Sequence, residues 1–240
     1  MQTLNESVPA NPRARWRYLR DIGRILSLRR ASISLGNGSD AQVIYDWFSQ
    51  PHAVWPMFGN KTVGVQLLDL CAFESFDAYL AGINGKNSAA YYRRKALGKG
   101  YAFVEIDRNF YIDDIQQINL SLAERQGRRL HPMYFAAVTH YENLSGWKYF
   151  GVANLHGRLL AYLDLQVMNE VAVVRQLLGH GQYLNDGIMY LLLIEVARRV
   201  QEMRATRYLM YDMYFGTSSG LRLFKEKLGF KPYWVKWTLG

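Results

Sequence analysis

A change of hydrophobic period, from two to 3.6 and back, runs through residues 158–239 and limits the possible folds more than any other feature. Two extended runs, 159–167 and 171–178, are apolar and β-branched, and Val167-Met168-Asn169-Glu170 between them has hairpin length. A glycine-bearing connection, 179–187, leads into an apolar-periodic stretch, 188–203. A short β-like run ends at Asp212, and Thr217-Ser218-Ser219 precedes the amphipathic segment 221–227. Leu228-Gly229-Phe230-Lys231-Pro232 then turns into a last aromatic run. The pattern predicts β(159–167), β(171–178), α(188–203), β(207–213), α(218–227) and β(230–238), with Gly229 ending the penultimate helix. The fold class that follows is α/β in the α+β sense: a mixed, mostly antiparallel sheet, whose ligands lie where strand ends meet helix N-termini.

The front of the chain is richer in helices. Residues 1–12 read as a frayed polar end, and 13–30 as a basic amphipathic helix. A turn at 36–40, a helix at 41–49 and a β-like run at 63–70 follow. Phe73, Phe76, Tyr79, Leu80 and Ile83 recur at helical steps. Ser88 is placed to cap a second helix that ends at Gly98 and carries Arg93-Arg94-Lys95. A strand over 101–106, a helix over 112–126 and short aromatic elements over 133–140 and 147–154 complete the reading. The expected division is a basic helical extension, 1–60, and one catalytic-sized domain, 61–240.

Several classes are disfavoured. The longest apolar candidate, 188–197, is interrupted by Glu195 and closed by Arg198-Arg199, too short for a membrane span. The N-terminus lacks a secretory pattern, so a cytoplasmic location is expected. Cys71, alone in an apolar context, is expected to be a buried thiol. The five histidines are scattered without metal-helix spacing, and no Walker or Gly-x-Ser-x-Gly string occurs, so no metal is expected. The net charge of +9 attracts polyanions such as RNA or DNA, a phosphorylated cofactor or an anionic membrane face.

Two stretches carry candidate chemistry. Gln176-Leu177-Leu178-Gly179-His180-Gly181 has two glycines that can present backbone N–H groups to a diphosphate, or form a simple loop. Tyr211, Asp212 and Tyr214 gather near a strand end, ahead of Thr217, Ser218 and Ser219, whose hydroxyls serve either a ligand or a helix cap.

On these residues the chain resembles the GNAT superfamily of acyl-coenzyme A-dependent acyltransferases. Gln176-x-x-Gly179-x-Gly181 looks like its pyrophosphate loop, and 220–232 looks like its C-terminal helix and turn. The front, with Tyr79-Leu80, Lys86 and Arg93-Arg94-Lys95, looks more loosely like the Fem-type branch, which passes amino acids from aminoacyl-tRNA. The resemblance implies an N-acyltransferase, most simply an acetyltransferase, moving an acyl group from acetyl-CoA or another acyl-CoA to the amine of a small molecule or macromolecule. It implies donor contacts at Val174, Gln176, Gly179, His180, Gly181 and Ser218. The family's acid tyrosine is matched by Lys225, which its neighbours Arg222 and Lys227 place on a solvated face; Tyr214 and Tyr211 are the replacements. Glu105, Asp107, His140 and His156 are available as bases, with Glu105 and His156 put forward. Because 182–187 separate the glycines from the next helix, Asn185-Asp186-Gly187 is a second candidate for the anion turn. A tRNA-dependent transferase, a nucleic-acid-modifying acyltransferase and a non-catalytic scaffold for an anionic partner are the alternative functions.

Overall fold

A computed structural model describes residues 25, 27–53, 56–125, 128–129 and 131–240. In chain order its strands are β1 (Arg29–Ser34), β2 (Val63–Asp69), β3 (Ala102–Glu105), β4 (Glu124–Arg125), β5 (Arg128–Arg129), β6 (Trp147–Ala153), β7 (Leu159–Met168), β8 (Val171–Gly179), β9 (Tyr208–Met213) and β10 (Lys231–Thr238). Its helices are α1 (Ser39–Ser49), α2 (Phe76–Gly82), α3 (Ala89–Gly98), α4 (Ile112–Leu120), α5 (Ile188–Glu202) and α6 (Ser219–Lys227).

Among the described residues, eight strands form one mixed sheet in the order β1-β10-β2-β9-β8-β7-β6-β3, and β4 pairs with β5 separately. Only β1–β10 and β8–β9 run parallel. Each strand and helix expected over 159–239 is present, with ends within about two residues. Gly229, at φ +87°, follows the end of α6 and lets Phe230 enter the core.

The helices sort onto two faces. One face packs α2, α3, α5 and α6 against a large apolar cluster that includes Leu163, Leu165, Leu192, Val196 and Leu228. The other carries two separate clusters. One lies under α1, with Ile44, Phe48, Val173 and Trp237, and the other under α4, with Ile115, Ile118, Tyr162 and Leu178. Between those two clusters the sheet shows polar side chains.

Three expectations need correction. Residues 13–24 and 26 of the basic helix lie outside the described residues, but Arg29 and Arg30 belong to a strand, paired in register with Tyr233 and Trp234 of β10. Alternation decides that segment: Ile33 is fully buried between exposed or half-buried neighbours. The helix expected over 112–126 stops at Leu120, because Arg125 folds back and donates to Ile118 O at 2.6 Å and Ser121 Oγ at 3.1 Å, ending the helix on its own side chain. Cys71 is exposed rather than buried: it sits in a 3-10 turn, Leu70–Ala72, whose inward residue is Leu70.

Candidate functional site

Strands β8 and β9 pair at only three positions, Val171–Val173 against Tyr208–Met210, and then part. Each strand is irregular where they separate. On β8, Val174 faces Leu165 and Gln176 faces Asp164, so Arg175 is an extra residue. On β9, Met210 faces Leu67 and Met213 faces Val65, so Tyr211 and Asp212 oppose the single residue Gln66. Asp212 takes a left-handed φ of +54°, uncommon for a non-glycine residue. Bulges of this kind re-aim side chains next to functional clefts. The result is a notch through the sheet, bounded by Val174–Gly179 and Tyr211–Met213.

The side chains around the notch are charged. Lys225 of α6 is 0% exposed, and its Nζ donates to Met213 O at 3.1 Å and lies 4.6 Å from the Tyr211 ring centre. Burial lowers its pKa to about 8; Asp212 opposes the shift, and Lys61 and Arg222 add to it. The solvated face expected for Lys225 is therefore corrected. Lys225 is three residues before buried Leu228 and shares its stripe, whereas exposed Leu223 and Glu226 mark the outer face. Asp212 accepts a 2.6 Å ion-pair hydrogen bond from Lys61. Burial pushes that carboxyl up, but Lys61 and Lys225 together hold it below its ordinary value. Gln66 is 0% exposed, and neither end of its amide has a hydrogen-bond partner among the described residues.

Of the predicted phenols, Tyr211 lies in the notch beside Lys225, its pKa pushed up by burial. Tyr214 follows β9; its N–H donates to Gly64 O at 2.7 Å, and the Arg222 guanidinium lies 4.2 Å from its ring centre. Ser218 caps α6 by accepting from Leu221 N.

The glycine turn is tightly engaged within the chain. His180 N donates to Leu160 O, Gly181 N to Ser121 Oγ and Gln182 N to His180 Nδ1. A Cβ on Gly179 would meet Met189 Sδ at 2.5 Å, and one on Gly181 would meet Leu122 Cγ at 2.6 Å. These glycines thus serve close packing, and three consecutive N–H groups of the turn already have acceptors. The second turn is engaged as well. The Asp186 carboxylate accepts from Lys99 at 2.5 Å and Tyr101 OH at 2.8 Å, and Lys95 donates to Asn185 O. Helix α3 crosses the N-terminus of α5 so closely that a Cβ on Gly187 would lie 2.4 Å from Tyr92 O. Arg93 of α3 pairs with buried Glu195 at 2.6 Å.

On the α4 face, β6, β7 and β8 present a polar row. Tyr149, Asp164 and Gln176 stand opposite one another across the three strands. Asp164 is 4% exposed; Oδ2 accepts from Arg108 NH1 at 3.0 Å, and Oδ1 has no partner among the described residues. Burial raises its pKa to about 6 against the pull of Arg108. The Arg108 guanidinium is held between the Tyr149 and Tyr141 rings, 3.9 and 4.6 Å from their centres, and donates to Glu142 O. Gln176 donates to Tyr162 OH at 2.6 Å, which in turn reaches Asn119. Sequence reasoning missed Asp164, although a lone carboxylate between Leu163 and Leu165 in an apolar strand is a visible signal.

The structure does not gather the expected bases. Glu105 is exposed on the edge strand β3, near Lys148 at 3.9 Å, with β6 and β7 between it and β8. His156 is exposed in the β6–β7 turn, His140 is exposed in a loop, and Asp107 caps a 3-10 turn by accepting from Asn109 N. Among the described residues, no three His, Cys, Asp or Glu side chains are grouped to hold a metal ion. No described helix is long and apolar enough to cross a membrane.

No family model and no curated protein matches the chain. Similar solved structures include FemX, at 11% identity and a TM-score of 0.54, over 71% of this chain and 59% of that one. The L-PGS of Bacillus licheniformis has 17% identity and a TM-score of 0.49, over 71% and 59%. The ribosomal-protein-S18-alanine N-acetyltransferase of Escherichia coli has 13% identity and a TM-score of 0.41, over 52% and 75%. The likeness to FemX is one of fold. The chain spans about three fifths of the length of FemX and of the L-PGS structure.

Proposed function

We propose that the chain is an acyltransferase that passes an acyl group to a primary amine in the notch between β8 and β9. The observation that carries this reading is Lys225, a fully buried ammonium at the edge of the parting between β8 and β9. The amine nitrogen attacks the acyl carbonyl carbon, and the bond from that carbon to the carrier's oxygen or sulfur breaks. Lys225, with its pKa lowered to about 8, is mostly protonated at neutral pH and gives the leaving atom its proton. The nitrogen loses a proton to water or a carboxylate, which balances the step. Backbone groups of β8 beyond Val173, where pairing with β9 has ended, face the acyl group; Val174 and Gln176 are nearest by sequence. Tyr211 lies beside Lys225 and is a second proton donor for the same step.

The donor that fits best is an aminoacyl or acyl ester carried on RNA. The N–H groups of the glycine turn are taken by Leu160, Ser121 and His180, so a coenzyme A diphosphate has to be held elsewhere, whereas the +9 charge suits a polyanionic carrier. Acyl-CoA is the second reading, favoured by the open edge of β8 in the notch. The test is donor discharge: radiolabelled acetyl-CoA and a mixture of aminoacylated tRNAs are each incubated with the protein and a panel of amines. Amine-dependent discharge of the tRNA ester supports the reading. Discharge of acetyl-CoA alone replaces the donor but keeps the transfer, and discharge of neither refutes it.

A further inference from the structure

On the α1 face of the notch, one cation lacks a counterion. Arg175, the residue that the β8 bulge inserts, holds its guanidinium against Trp47 of α1, 5.2 Å from the ring centre. Lys61 Nζ lies 5.6 Å from the same ring centre, but it is bound to Asp212 at 2.6 Å. Arg175 has no hydrogen bond and no ion pair among the described residues. The residue keeps access to solvent, yet the packing around it lowers its pKa by desolvation, and no facing carboxylate counters that effect. Lys61, Arg175 and Lys225 thus border the notch, while the carboxylate among them, Asp212, is already taken by Lys61. An excess of cations around a cleft concentrates anionic ligands there.

We infer that Arg175, backed by Trp47, anchors an oxyanion on the acceptor, so that the acceptor is an amine that also carries a carboxylate or a phosphate group. The role as acceptor rests on the acyl-transfer reading; the binding of the oxyanion does not. A guanidinium presents its N–H donors in a rigid fork that matches two oxygens of a carboxylate or phosphate at once. Trp47 steadies that fork through its ring and uses none of the donors. Arg108 shows the contrasting, satisfied arrangement. It too is held against aromatic rings, but its NH1 and NH2 already bind Asp164 and Glu142 O. Position fits as well. Arg175 stands between Val174 and Gln176 on β8, so its anion is held beside the parting itself and not across a neighbouring strand. Trp47 packs on the cluster under α1, with Val173, whereas Lys225 belongs to α6 on the other face. Lys225 serves the leaving atom, which puts the carrier on the side of α6 and leaves the α1 side to the acceptor. The amine end of that molecule then enters the parting from the α1 face.

The experiment is calorimetry without any donor, so a failed transfer reaction and a failed anion site are told apart. The full chain is titrated at constant ionic strength with 4-aminobutyrate, with ethanolamine phosphate, and with n-butylammonium chloride, an amine without an oxyanion. The inference expects saturable heat with at least one of the two anionic amines and none with butylammonium; which of the two binds tells carboxylate from phosphate. Arg175→Met should weaken that binding by roughly tenfold or more, as loss of a charge-assisted pair does. Arg175→Lys keeps the charge but not the fork and should weaken it by a smaller factor. Arg204→Met removes an exposed charge beyond the other end of β9 and should leave affinity within about twofold. With a donor in hand, Arg175→Met should raise KM for the anionic amine while kcat stays within about twofold, and leave KM for butylamine unchanged. No binding of either anionic amine, unchanged affinity in Arg175→Met, or an equal loss in Arg204→Met overturns the site. An equal rise in KM for both amines overturns its role in holding the acceptor.

Discussion

Replacing Lys225 with methionine, which keeps length and removes the charge, should stabilise the fold at neutral pH. The folded-state pKa falls from 10.5 to about 8, so burying the ammonium costs about 3 kcal/mol at and below that pH. Against this, the variant leaves Met213 O, which accepts from Nζ at 3.1 Å, without its donor, a loss of about 1–2 kcal/mol. The net expectation is a gain of about 1–2 kcal/mol at pH 7 by this balance. The sign of the pH dependence follows from the same shift. Between about 8 and 10.5 the unfolded chain binds the proton that the folded chain has lost, so the parent gains stability as pH rises through that window. The variant has no such group. Urea unfolding of both proteins from pH 7 to 10 gives a difference curve in which the tyrosines common to both cancel. The variant should lead at pH 7, and its lead should shrink as pH rises. A variant clearly less stable than the parent at pH 7, or a flat difference curve, would refute the reasoning.

Gly187→Ala meets both a φ of +89° and Tyr92 O at 2.4 Å, and should lose about 2–4 kcal/mol by strain and overpacking, read as a lowered Tm. Gly181→Ala is placed against Leu122 Cγ at 2.6 Å and Ser121 O at 3.1 Å; it should lower Tm while donor affinity stays within about twofold, the limit set by an additive, non-contacting change. Asp164, raised from 3.8 to about 6, contributes stability that is full below the lower value and lost as pH rises through the upper one. Subtracting the unfolding curve of Asp164→Asn from that of the parent between pH 4 and 7 should show that loss, on the order of 3 kcal/mol; a difference independent of pH rules it out.

The last third of the fold was legible because each element there has one dominant period: β7 and β8 are nearly continuous apolar strands, and α5 buries Ile188, Leu191, Leu192 and Val196 on a helical stripe. β1 was not, because Arg29, Arg30 and Ser32 hide a strand whose alternation shows only at Ile33, and whose partner β10 lies at the opposite end of the chain. The side-chain partners of the candidate residues were not legible. The spacing of Gly179 and Gly181 is visible, yet the acceptor that occupies Gly181 N is Ser121, 60 positions away. Lys225 sits among Arg222, Glu226 and Lys227, a composition that reads as solvent-facing until the helix is docked on Leu228. Asp164 finds Arg108 56 positions earlier, a pairing that no local pattern encodes.

The measurement that bears most directly on the account is single-turnover transfer by Lys225→Met, using whichever donor the parent discharges, with donor binding measured separately. Removing the proton source for the leaving atom should slow the chemical step by roughly 100-fold or more while donor affinity stays unchanged, the pattern of an interaction made only in the transition state. A variant that folds, binds donor and transfers within about threefold of the parent rate, too small a change for a general acid, would contradict the assignment of Lys225.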